Sequence, residues 1–421
     1  MAAVELRAGG RILSAERRRR LRGAAERVLR ANWREGRHPS EGRYAFTCPA
    51  AGRYKHQWYW DSCFHALAWR HFDPGRARAE LRTLVRAQAP DGLIPHTVFW
   101  CRSARWRRAP LYATSSVLGS FATATTQSPM IALAWEAVAL ASPEHPDFAT
   151  EALPQLRLHY DCLDRERDPD GDGLISIVVP DESGLDDSPK YDSVFGPMAH
   201  HRPGYFRLVQ RLRRLDYSWP AILAAYDEQV EDVLVNVLYA LSLRALSRLL
   251  GEGEQGEYAG RARRTEGALL VRCHDDSSGL FLDLAGRDER RVAVSTWSSL
   301  APLALAELPE AVRRRLVEEH LLDYRRYRVP FGIPSVARAE PSFRPGFDRF
   351  RCWRGPAWMN IAWLLVPPMR ELGYEEEAAR VVRSLADAVE RHGFREYYDP
   401  LTGAGLGARD FSFSTLLADL V

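Results

Sequence analysis

VLVNVLYALSLRALSRLL, residues 233–250, sets Val233, Val237, Leu238 and Leu241 on one side of the chain. Apolar side chains recurring every three to four residues mark one face of an α-helix, whereas a half-buried strand would alternate. The helix is expected to start as early as position 220. The same period returns along the whole sequence. Ser14 suits an N-cap, opening a helix to about Asn32. Further helices are expected over 61–71, 74–88, 129–141, 145–164, 259–273, 298–308, 311–325, 355–372, 375–392 and 411–420. Strand signals are few; 174–180 and 291–294 are the best.

About a dozen helices over 421 residues leave about 35 residues for each helix with its loop. That arithmetic predicts an all-α fold, a single (α/α)6 barrel of six helical hairpins occupying 1–421. No Pro/Gly/Ser linker divides the chain, and neither a P-loop nor a GxGxxG occurs. Sites on such a scaffold are carried by long loops on one face. The long loops here are 44–60, 91–128, 168–219, 327–358 and 393–411.

Fifty-eight basic residues stand against 55 acidic ones, a net charge of +3 with no concentrated basic patch. The composition therefore speaks against a nucleic-acid partner. All but two of the basic residues are arginine, the exceptions being Lys55 and Lys190. Six cysteines without a CxxC pair argue against a disulfide framework or a zinc ribbon. The residues after Met1 lack an apolar core segment, and the uncharged stretch 109–135 is broken by Pro110, Gly119 and Pro129. No membrane partner is expected, and the cytoplasm is the default location.

Twelve tryptophans gather in the long loops, among them Trp58, Trp60, Trp100, Trp106, Trp219, Trp353 and Trp358. Aromatic rings stack on the apolar faces of sugars, and a neighbouring carboxylate such as Asp61 binds paired hydroxyls. A second cluster holds Asp181, Glu182, Asp186 and Asp187, four carboxylates within seven residues, with Asp192 behind them. A third places Glu396 between a helix end and a Pro/Gly turn, flanked by aromatics. Two separated carboxylates are what glycoside hydrolysis requires: one protonates the leaving oxygen, and the other activates water.

Asp168-Pro-Asp170-Gly-Asp172-Gly173 matches the start of an EF-hand loop, but the twelfth position is Val179 instead of glutamate. It reads as a plain turn, and neither a metal nor a cofactor is expected. No GxSxG or HExxH occurs. His56, His65, His96 and His274 are expected to be packed histidines.

The segments QWYWDSCFHA (57–66), DGLIPH (91–96), TTQSP (125–129), ESGLDDSPKYD (182–192), FGIPSV (331–336), WRGPAW (353–358) and FREYYDPLTGAGLG (394–407) together resemble glycoside hydrolase family 63, in its short bacterial branch. The resemblance implies an (α/α)6 barrel and an inverting hydrolase of 2-O-α-mannosylglycerate, and of glucosylglycerate, releasing the sugar and glycerate. It assigns the general acid to Asp186 and the general base to Glu396. Trp60, Asp61, Trp353, Arg354 and Trp358 fall on sugar-binding positions, and Trp58 joins them as a substrate-binding candidate from its aromatic cluster. Tyr54, Gln127 and Tyr226 fall near the glycerate end, with Lys55, Lys190, Arg354 and Gln127 as donors to its carboxylate. The partner implied is a small sugar acid, with a homo-oligomer left open. The alternative is an α-glucosidase or trehalase-like hydrolase of neutral oligosaccharides. A non-catalytic sugar-binding toroid is the reading from another class, favoured if Asp186 and Glu396 lay far apart.

Overall fold

The structure, a computed structural model, describes residues 13–100, 121–197, 199, 202–251, 255–348 and 351–421. Ser14 caps the first helix, Ala15–Asn32, its Oγ accepting from the Arg17 backbone N–H at 3.2 Å. Leu21, Ala25, Val28 and Leu29 form that helix's buried stripe. The next helix, Tyr59–Trp69, is buried at all 11 of its positions. A helix hidden all round is an inner wall, and Pro74–Arg86 packs outside it. Ile131–Leu140 packs on Val233–Leu250, which packs in turn on Gln255–Ala268, and Met359–Glu371 pairs with Glu375–His392. The hairpins form the expected (α/α)6 barrel. One continuous apolar core runs from Leu13 to Leu420. Val233–Leu250 is long and apolar enough to cross a membrane, but 72% of it is buried inside the molecule.

Several expected elements are changed. The helix expected over 220–250 is three pieces: Trp219–Ala225, the strand Val230–Glu231, and Val233–Leu250. Asp232 breaks it, because its extended backbone lets Oδ1 cap the Val235 N–H at 3.0 Å. The helix expected from 355 begins at Met359, since Trp358 is extended and Ala357 bridges Pro334 and Tyr398. The helices expected over 259–273 and 311–325 end in wide π-turns, Leu269–Cys273 and Val317–Leu321. Pro302 leaves the segment Trp297–Ala304 as a 3-10 run.

Strand Ser176–Ile177 joins Val230–Glu231, Asp283–Ala285 and Arg290–Val292 in one antiparallel sheet. The hairpin Trp33–His38 with Gly42–Thr47 and the helix Arg202–Arg214 were not expected. Part of the loop 393–411 is a third ordered unit, the hairpin Arg395–Tyr398 with Gly405–Arg409. Trp106, one of the loop tryptophans, lies outside the described residues.

Candidate active site

The loops at one face enclose a cavity of about 460 Å³, and both proposed catalytic carboxylates, Asp186 and Glu396, line it. Glu396 projects from the strand Arg395–Tyr398 and is only 5% exposed. Its two oxygens have separate partners. The Tyr54 hydroxyl donates to Oε1 at 2.9 Å, and the Ala408 backbone N–H donates to Oε2 at 2.7 Å. Gly407 permits this approach: it has φ +66°, and a Cβ there would meet Glu396 Oε2 at 2.5 Å. Burial pushes the Glu396 carboxyl above its ordinary range, while the Ala408 N–H, Arg53 and Tyr54 oppose the rise. Arg53 Nη1 stands 3.6 Å from Glu396 Oε2.

The acidic run around Asp186 divides its labour. Glu182 is fully buried and accepts two hydrogen bonds from Arg167, at 2.6 and 3.0 Å, and one each from the Thr126 and Val178 N–H groups. Asp187 accepts from the Trp353 N–H at 2.9 Å. These two carboxylates are struts, and they leave Asp181 and the half-buried Asp186 at the cavity wall. Gly184, at φ +78°, lets the loop close on Trp60, whose ring a Cβ would meet at 2.4 Å.

The aromatic wall is made by Trp353 and Trp358, stacked with centroids 4.0 Å apart and planes at 7°. Trp60 leans on Trp353 at 6.1 Å. Trp58 lines the cavity as well, as do Asp61 and Gln127. Burial pushes the Asp61 carboxyl up to about 7, so near neutral pH it both donates and accepts. Gln127 Oε1 accepts from the Trp60 N–H at 3.0 Å, tying the two walls together.

Other expected residues stand elsewhere. Arg354 is outside the cavity and forms a bidentate pair with Asp192, at 2.6 and 2.7 Å, that braces the Trp353 turn from behind. Tyr226 is also outside; its ring faces the Arg211 guanidinium at 5.1 Å. Lys190 is buried against Asp232, Asp283 and Ser298, and Lys55 is exposed. Among the described residues lining the cavity, the basic side chains are Arg53 and His96, which sequence reasoning did not assign to the site. Arg53 has no motif to mark it. Burial lowers the His96 imidazole below its ordinary range, while Asp181 and Asp186 oppose the shift.

Arg53 yields a direct prediction. Its charge favours ionised Glu396, so Arg53→Gln raises the Glu396 pKa further. With Glu396 in the role of base that the resemblance implies, the acid limb of the kcat/KM–pH profile then moves to higher pH, because the ionised carboxylate is lost as pH falls through that pKa. An acid limb that stays in place shows that Arg53 does not tune Glu396.

A family model described as the mannosylglycerate hydrolase MGH1-like glycoside hydrolase domain matches residues 54–414. Mannosylglycerate hydrolase of Thermus thermophilus is 31% identical over 407 residues, spanning 89% of this chain and 96% of that protein. Glucosylglycerate hydrolase of Mycolicibacterium hassiacum is 26% identical over 416 residues, spanning 86% and 90%. The solved structure of the Thermus thermophilus mannosylglycerate hydrolase in complex with Tris and D-glycerate superposes with a TM-score of 0.81 at 30% identity, covering 95% of this chain and 99% of that one. The chain is thus a glycoside hydrolase and belongs to family 63, among its mannosylglycerate hydrolase MGH1-like domains.

Proposed function

We propose that this enzyme hydrolyses 2-O-α-mannosylglycerate, and glucosylglycerate, with inversion at the anomeric carbon. Asp186 acts as general acid, protonating the glycosidic oxygen as the bond to glycerate breaks. Glu396 acts as general base, taking a proton from the water that attacks the opposite face of the sugar. The observation that carries this reading is that both carboxylates line one cavity, with Glu396 oriented by Tyr54 and Ala408. Inversion needs room for that water, so the two carboxyls stand roughly 6.5–9.5 Å apart once substrate is bound.

Trp353, Trp358 and Trp60 pack on the sugar ring, and Asp61 holds its hydroxyls. Gln127 and Arg53 supply donors at the glycerate end. By the resemblance, Tyr54 and Tyr226 belong to the same end. The same reading takes residues 1–421 as one catalytic domain working in the cytoplasm. The relatives' names support the sugar-glycerate class.

The test is to incubate the pure protein with mannosylglycerate, glucosylglycerate, trehalose and maltose, and to follow the released anomer by proton NMR. The β-anomer should appear first from the two glycerate substrates. Initial release of the α-anomer, or faster cleavage of trehalose or maltose, overturns the proposal. Replacing the glycerate carboxylate by an alcohol, as in mannosylglycerol, removes a charge-assisted hydrogen bond worth about 1.5–3 kcal/mol. The kcat/KM should fall at least about tenfold, and equal efficiency would show that the carboxylate is not recognised.

A further inference from the structure

Away from the cavity, Asp170, Asp172, Glu231 and Glu289 bring carboxylate oxygens within 4.8 Å of one another. Glu231 lies on the strand Val230–Glu231 and is 7% exposed, and its Oε2 has no hydrogen-bond partner. Arg272 is the near cation: its Nε is 2.8 Å from Asp172 Oδ2, and its Nη2 contacts Glu289. One guanidinium against four carboxylates leaves an excess of negative charge, and among the described residues Glu231 forms no ion pair. A buried carboxylate aimed into other carboxylates without a partner is unfavourable unless something cationic joins them.

We propose that this cluster binds a divalent cation of the calcium class. The ligand set is all oxygen, drawn from side chains of separate segments, which suits the larger and more tolerant ion better than magnesium. Asp168, Asp170, Asp172 and Gly173 occupy the first, third, fifth and sixth positions of an EF-hand loop, but position twelve, Val179, offers no carboxylate. The missing acid arrives through the fold. Pairing of Glu231 with Ser176 and Leu284 brings its carboxylate to the loop, and Glu289 comes from the turn after Asp283–Ala285. Glu289 holds φ +50°, a left-handed backbone that costs a glutamate energy and places it in the cluster. Asp168 Oδ1 is likewise buried without a hydrogen-bond partner.

The cation would do structural work. Asp232, next to Glu231, and Asp283 hold Lys190, and the Asp186 loop follows the strand Ser176–Ile177. Fastening residues 168–173 to this sheet steadies the root of the acid-bearing loop.

The test uses the full chain, stripped with EDTA, dialysed and titrated calorimetrically with calcium chloride and, separately, magnesium chloride. One calcium ion should bind per chain with a dissociation constant below about 1 mM, with magnesium at least tenfold weaker. At a hundredfold excess over that constant, the thermal midpoint should rise by about 3 °C. Glu231→Gln and, independently, the exposed-site variant Asp170→Asn should weaken calcium binding at least tenfold. The calcium-free midpoint of Glu231→Gln should not fall, since an unpaired acid has been removed. Absence of binding, equal affinity for magnesium, or wild-type affinity in both variants overturns the proposal. None of these readouts depends on which glycoside the cavity takes.

Discussion

Asp186→Asn and Glu396→Gln each lower turnover by ~10²–10⁴-fold or more, with the fold and thermal midpoint nearly kept. Asparagine keeps the shape of aspartate but has no proton to give the glycosidic oxygen. Glutamine at 396 still meets the Tyr54 hydroxyl at its amide oxygen, but it cannot take a proton from water. The two variants separate when the leaving group is changed. An aryl mannoside with an acidic phenol departs without a proton, so it should restore much of the Asp186→Asn rate. It should leave Glu396→Gln impaired, because water still needs activation. Their pH profiles separate as well. Asp186→Asn should lose the alkaline limb, which reports the acid. Glu396→Gln should lose the acid limb, which in the wild type lies above the ordinary carboxylate range because burial raises Glu396. Near-wild-type turnover in either variant removes that residue from its role, and rescue of Glu396→Gln by the aryl substrate exchanges the two assignments.

The helical frame was legible because burial imposes a period on the sequence. Val233–Leu250 and Glu375–His392 carry it plainly, and Ser14 marks a helix start within one residue. What the period could not show was where tertiary contacts interrupt it. Apolar residues continue through 219–250, but Asp232 finds Lys190 as well as the Val235 N–H, and that pairing bends the chain into a strand. The opposite error occurred at Arg202–Arg214, where Pro203 and Gly204 look like breakers. Proline is tolerated in a helix's first turn, and Leu208, Val209 and Leu212 form the buried face. The hairpin Trp33–His38 is mostly polar and partly exposed, so it had no alternating signal to read.

In the site, residue type was more legible than duty. Asp186 and Glu396 stood out as carboxylates among turns and aromatics, and Trp60, Trp353 and Trp358 as aromatics in polar loops. Whether a charged residue faces a ligand or another side chain depends on partners far off in sequence. Arg354 has Asp192 and Lys190 has Asp232 and Asp283, so neither is offered to a ligand, while Arg53 stands beside Glu396. The carboxylates that gather beside the EF-hand-like loop, Glu231 and Glu289, likewise come from positions distant in sequence.

Lys190→Met destabilises the protein by about 3–5 kcal/mol, a factor of roughly 160 to 5,000 in the folding equilibrium. Lys190 is completely buried, with its ammonium 2.6 Å from Asp232 Oδ2, 3.1 Å from Asp283 Oδ2 and 2.8 Å from Ser298 Oγ. Methionine fills a similar volume but leaves two buried carboxylates facing each other. The cost is the stranded charge rather than lost packing, and two observations separate these. First, Asp283→Asn added to Lys190→Met should recover part of the loss, because one uncompensated carboxylate goes; a packing defect would not be repaired. Asp232 is unsuited to this test, since it also caps a helix. Second, the deficit should depend on pH. Burial already raises Asp283 above its ordinary range, with Lys190 opposing. Without Lys190 the folded-state pKa rises further, so the folded protein binds a proton that the unfolded chain has released. Stability then falls as pH rises from about 4, the unfolded aspartate value, until the folded pKa is passed. Chemical denaturation of wild type and Lys190→Met at pH 5 and pH 8 should therefore show the smaller difference at pH 5. A pH-independent difference would mean that the lysine's stem, and not its charge, holds the Asp186 loop to the barrel.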